Sequence, residues 1–219
     1  MDIDRQIEQA KQLVASKFKG KHYIAYFQSF TNTYGDIDRL RDIYRKAAMR
    51  SDIAVISIAT RPDCLGNQVI DMLRDIQRIK PVWVELGLQT IHEETAKFIN
   101  RGYPISVYDE AVKKLRDLGV HVIVHMILGL PGETQRDMIE TAEYIGKSGA
   151  QGIKLQLFMS LKEPTLLNCI RMENVLFYRW KIYRMCCFVS EGTAAGYGNP
   201  PSDRRWAKET IDRTALERR

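Results

Sequence analysis

Five short apolar runs recur along the chain with starts about 30 to 40 residues apart. They are HYIAYF from His22, IAVISIA from Ile53, VWVELGL from Val82, VHVIVHMIL from Val120 and GIKLQLF from Gly152. Between them the apolar residues fall at helical spacing: Leu40, Ile43, Tyr44 and Ala47; Val69, Leu73 and Ile76; Val107, Ala111, Leu115 and Leu118; Met138, Ala142 and Ile145. Polar residues fill the opposite face of each. Pro81, Gly119 and Gly149 mark the passages from helix back to strand. Strands that lack strict alternation and are separated by helices belong in a parallel sheet covered by those helices. With an opening helix over 2–16, five such units fit an open or partly closed β/α barrel better than a two-layer sandwich. A doubly wound sheet is the rival, and both put ligands at the carboxyl ends of the strands.

Polar residues collect at those ends. QSFTNTYG follows the first strand, TRPD the second, ELGLQT the third and GLPGE the fourth. Four such exits in succession point to one shared site. In TRPDCL, Arg61 suits a carboxylate or phosphate and Asp63 a ribose hydroxyl, or the two close a turn around Pro62 as an ion pair. Cys64 reads as a small buried thiol. Period two puts Glu85 on the same face as Gly87, pointing into a barrel interior, where a charge needs partners. The alternative is an internal salt bridge between strands. Arg101, in NRG, is either a ligand contact or a surface arginine. His121 and His125 share one strand face; His125 lies nearer the exit and is the better candidate, while His121 reads as a satisfied core or surface histidine. The GLPGE turn offers backbone N–H groups and room for a ring, but lacks both GxGxxG spacing and a Walker lysine.

Composition narrows the classes. No run approaches the roughly 18 apolar residues of a membrane span, and MDIDRQIEQAK is charged where a secretory leader is apolar, so a cytoplasmic address without membrane contact is expected. The net charge of +6 is uneven: residues 171–219 hold 10 Lys and Arg against 6 Asp and Glu. Such a tail can touch nucleic acid, although a solvated terminus is the simpler reading. The cysteines at 64, 169, 186 and 187 contain no CxxC and suggest neither a disulfide framework nor a metal knot.

Taken in order, IAYFQSFTNTY, ISIATRPDCL, VWVELGLQT, NRG and HMILGLPGET resemble the middle of a radical S-adenosylmethionine (SAM) protein. The resemblance is to an uncharacterised subgroup near the oxygen-independent coproporphyrinogen oxidase and elongator-type enzymes, and it covers residues 1–160. It implies a partial (β/α)6 TIM-like barrel of parallel strands. It also implies a [4Fe–4S] cluster that cleaves SAM reductively to a 5′-deoxyadenosyl radical, and a reductant such as flavodoxin or ferredoxin. Carried onto this chain, Gln28, Ser29 and Thr31 fall at the methionine end of SAM, and Arg61 and Asp63 near the ribose. Gln89 and Arg101 match polar SAM contacts. His125 stands where relatives have a ribose-binding aspartate, and the Gly129 turn lies near the adenine.

One departure from the family is large. Members hold three irons through a cysteine triad after the first barrel strand, and none of the four cysteines here has that spacing. The first strand is expected to be missing as well, so the resemblance implies an N-terminally truncated core, a fragment inactive alone. A cluster-less module that holds SAM or another nucleotide, or a basic RNA-associated protein, are the alternatives. Residues 161–219 read as a divergent C-terminal segment, and the substrate is not legible.

Overall fold

A computed structural model of the protein describes residues 2–16, 20–28 and 30–158. Ser29 and the whole of the segment 161–219 lie outside the described residues. The elements, in chain order, are α1 (Ile3–Val14), β1 (Tyr23–Phe27), α2 (Ile37–Met49), β2 (Ile53–Thr60), α3 (Asn67–Gln77), β3 (Val82–Gln89), α4 (Glu93–Phe98), α5 (Ile105–Asp117), β4 (His121–Leu128), α6 (Gln135–Ser148) and β5 (Gly152–Leu157). A single 3-10 turn, Pro62–Cys64, follows β2.

All four neighbouring strand pairs are parallel and the spatial order is β1-β2-β3-β4-β5. A doubly wound sheet would reverse that order at a switch point. None occurs here: the chain adds each strand to the same edge. The sheet curls far enough for its two edges to meet across the inside. Lys154 on β5 donates from Nζ to the Tyr26 hydroxyl on β1 at 2.7 Å, and its ammonium lies 4.4 Å from the Tyr26 ring centre. The result is a half-barrel of TIM type.

The helices cover the outer face. Val82, Val84, Leu86 and Leu88 of β3 and Val122, Val124, Met126 and Leu128 of β4 are buried beneath them, with Met72, Leu73 and Ile76 of α3 and Tyr108 and Leu115 of α5. Burying each such side chain contributes on the order of 2 kcal/mol. The inner face differs. Along β4 full burial alternates with half-burial, the half-buried residues being His121, Ile123, His125 and Ile127. Both faces of β4 are apolar in sequence, but only one is sealed, because the curled sheet leaves its concave side open.

Local signals set the helix ends. In GETQRD, Thr134 and Asp137 form a capping box: the Thr134 side chain accepts from the Asp137 N–H and the Asp137 carboxylate accepts from the Thr134 N–H at 2.6 Å. The same helix stops at Gly149, whose φ of 84° only glycine adopts cheaply. α1 is held against the barrel by charge, with Lys11 on Asp52 at 2.8 Å and Arg50 on Asp4 at 2.9 Å.

Two glycines of this helix respond oppositely to the same change. Gly149→Ala forces a side chain into the left-handed region and places its Cβ 2.5 Å from the Arg116 guanidinium, so a loss of roughly 1–2 kcal/mol is expected. Gly146 lies inside α6 with nothing within 4 Å of an added Cβ, so Gly146→Ala gains about 0.5–1 kcal/mol. Urea denaturation of the two variants checks both signs.

Candidate functional site

The inner face of the half-barrel carries one charged network, and Glu85 is its centre. Glu85 is 7% exposed although it sits on the open side of β3. Ser57 on β2 donates to its Oε1 at 2.7 Å, His125 Nε2 on β4 stands 2.6 Å from its Oε2, and Lys154 on β5 donates to the same oxygen at 3.2 Å. Burial pushes this carboxyl up. The hydrogen bonds from His125 and Ser57 and the nearby Lys154 charge outweigh that and bring it down to about 2 from an ordinary 4.5. An ionised carboxylate only accepts, so His125 donates from Nε2, and its other ring nitrogen, Nδ1, is not engaged by Glu85. For Lys154, burial works against the charge, but the Tyr26 and Glu85 contacts prevail and hold its ammonium above the usual range. The expected inward Glu85 and the expected inter-strand salt bridge are thus one and the same feature.

Above this network lies the rim of strand exits. Most of its polar residues bind neighbouring loops. Asn32 donates to the carbonyls of Phe27 and Ala59, both at 2.9 Å, and the Thr33 hydroxyl donates to the Cys64 carbonyl at 2.8 Å. Arg61 grips Asp63 in a two-point ion pair, Nε to Oδ1 at 2.9 Å and an Nη to Oδ2 at 2.7 Å, which closes the turn around Pro62. Cys64 is half-buried, and burial raises its thiol above the ordinary value, against thiolate formation.

Arg101 is no surface residue: it is 4% exposed. Its guanidinium donates to the Thr90 carbonyl at 2.6 Å, the Tyr103 carbonyl at 3.0 Å and the Glu93 carboxylate at 2.9 Å. It therefore ties the β3 exit to the loop that enters α5. The ring of Tyr103 lies between the two arginines, 5.3 Å from Arg61 and 5.2 Å from Arg101, and its hydroxyl donates to the Gly87 carbonyl. Gln89 has a left-handed φ of 65°, and its amide folds back over Gly87, where an added Cβ would meet it at 2.5 Å.

A different subset stays available. Gln28 is exposed and Thr31 half-buried, and neither side chain has a hydrogen bond among the described residues. Gly129, at the β4 exit, has φ 76° and open space where a Cβ would stand. Beneath them His125 turns Nδ1 away from Glu85. Uncommitted donors and acceptors at the β1 and β4 exits, with an open turn beside them, fit a ligand that joins an amino acid to a nucleoside. SAM has that composition. A [4Fe–4S] cluster is not fitted: ligation needs clustered thiolates, and Cys64 is the one cysteine among the described residues. Sequence reasoning missed Tyr26, Ser57, Lys154 and Tyr103. Period two could have put Ser57 inward, since it pairs with Trp83 in register, but no local signal joins Tyr26 to Lys154.

Comparison with known proteins gives the family and the fold. The sequence model of the Radical SAM superfamily matches residues 1–145. The chain is similar to the uncharacterised protein YtqA of Bacillus subtilis, 44% identical over 167 residues, which cover 76% of this chain and 52% of YtqA. It is also similar to protein YhcC of Escherichia coli, 39% identical, covering 71% of this chain and 53% of that protein. The chain thus spans about half the length of the curated relatives it matches. In fold it is similar to the archaeal Elp3 of Methanocaldococcus infernus, with a TM-score of 0.56 at 17% identity over 87% of this chain and 49% of that one.

The Glu85 network has a pH signature. Its folded-state value lies below the ordinary 4.5, so the stabilisation it gives is complete above pH 4.5 and is lost as the pH falls toward 2. Glu85→Gln is expected to cost roughly 2 kcal/mol at neutral pH. The gap to the unmodified protein should close across that acid window, as followed by urea denaturation at stepped pH.

Proposed function

The chain belongs to the radical SAM superfamily, and from that premise we propose that the strand-exit rim of its half-barrel binds SAM. Gln28 and Thr31 hold the methionine end at the β1 exit. His125 meets a ribose hydroxyl through Nδ1, and the turn from Gly129 to Glu133 packs beside the adenine. Gln89 adds a polar contact over Gly87. The observation that carries this reading is the pairing of His125 with Glu85 at 2.6 Å, which holds the imidazole by Nε2 at the β4 exit, beside the open turn at Gly129. Arg61, Asp63 and Arg101 support the rim from behind, through the protein bonds they already make.

When bound beside a reduced cluster, SAM supplies a carbon-centred radical. The four cysteines of this chain lack the spacing that holds such a cluster, so the part assigned to its own residues is to bind and orient SAM and to hold the ribose with the His125 imidazole. Tyr26, Lys154 and Glu85 line the concave space below, where a second ligand would meet a phenol, an ammonium and a carboxylate. The alternative of an RNA-associated tail falls on residues 171–219, which lie outside the described residues.

Binding is measurable without cluster or turnover. Isothermal titration of the purified chain with SAM under anaerobic conditions is expected to show one saturable site. Gln28→Ala and Thr31→Ala alter side chains without hydrogen-bond partners among the described residues, so each leaves the fold intact and weakens binding roughly three- to tenfold, the value of one hydrogen bond. No saturable heat, or affinity unmoved by either change, defeats the assignment.

A further inference from the structure

A second cluster of ligating groups stands outside the barrel mouth, where the loop after β3 meets the start of α6. His92 precedes α4 and leans on α6, with Nε2 at 3.0 Å from the Asp137 carbonyl and 3.9 Å from its Oδ1. Glu140 lies one turn further along the same helix face, three residues after Asp137. One atom each from the His92 ring, the Asp137 carboxylate and the Glu140 carboxylate fall within 4.8 Å of one another, and all three residues are half-buried.

Their other bonds leave ligand atoms over: the Asp137 carbonyl only accepts, so His92 spends Nε2–H on it and Nδ1 is the nitrogen left to ligate. Asp137 spends Oδ2 on the Thr134 N–H and hydroxyl, at 2.6 and 2.7 Å, which leaves Oδ1 toward His92. Glu140 accepts from Arg136 through Oε1 at 2.9 Å, leaving Oε2. A third carboxylate stands close behind. Glu133 Oε1 accepts from Thr90, while its Oε2 is buried with no hydrogen-bond partner among the described residues. A buried carboxylate oxygen without a donor is a costly arrangement that a nearby cation relieves. Helix capping explains Asp137, but not the convergence of His92 and Glu140 on it, nor the orphaned oxygen beside them.

We propose that His92, Asp137 and Glu140 form a divalent-cation site that ties the loop after β3 to α6. One imidazole nitrogen and two carboxylate oxygens, with no thiolate, suit manganese(II) and ions of similar hardness such as iron(II) or zinc(II). The three protein ligands leave coordination positions for water, and Glu133 offers its free oxygen to that shell. Its three ligands are not among the residues assigned to SAM, although Glu133 borders both sites.

Manganese(II) is the discriminating probe, because thiolates prefer softer ions and the cysteines of the chain then compete little. The chelator-stripped full chain is titrated against Mn2+, and the free ion is followed by electron paramagnetic resonance. One bound ion per chain is expected, together with a rise in melting temperature. Glu140→Gln and His92→Asn should each weaken binding at least tenfold and abolish the thermal shift, while the far-ultraviolet circular dichroism stays unchanged. No bound ion up to about 1 mM, the weak end of protein cation sites, overturns the proposal. So does one-site binding that neither variant alters.

Discussion

A carboxylate on the inner face of a sheet is costly unless its neighbours supply donors, and here three strands other than its own do so. Glu85 draws Ser57 from β2, His125 from β4 and Lys154 from β5. Lys154 in turn reaches Tyr26 on β1. Every strand of the half-barrel is thereby tied to one charge. The outer face obtains its cohesion from apolar contact with helices, which is strong but indifferent to direction. Among the described residues the inner face has no second layer to press against, so curvature there depends on bonds with geometry. Removing the acid would leave an ammonium and an imidazole facing each other across the interior with no common partner.

The same economy governs the rim. Much of what reads as a candidate ligand group is engaged in shaping the exits: Asn32 and Thr33 clamp the first loop to the second strand, Arg61 and Asp63 close a turn, and Arg101 binds two carbonyls and a carboxylate. Loops with such internal bonds are stiff. That stiffness is what lets the few uncommitted groups, Gln28, Thr31 and His125, keep fixed positions relative to each other.

The strands were legible almost residue for residue, because apolar runs of this length bounded by Gly and Pro leave little alternative. The strand order was not, since period and composition are equally compatible with a doubly wound sheet. The inward direction of Glu85 and the shared face of His121 and His125 follow from period two alone. Arg101 illustrates the limit of local reading: an arginine in NRG reads equally as a ligand contact or a surface residue, and only the packing of Tyr103 and the carbonyl of Thr90 show it buried among protein groups. Lys154 was hidden for a different reason. Its partners lie on strands that become neighbours only through curvature, and curvature is a property of the whole sheet.

The contact between Lys154 and Tyr26 spans 128 positions of chain. During synthesis it cannot exist until the fifth strand has left the ribosome. Until then the inner polar groups of the earlier strand–helix units are without it, and Tyr26 stays in water. The last long-range contact to form is the one that sets the curvature, so a chaperone or a neighbouring chain has the duration of four strands in which to meet the uncurled inner face.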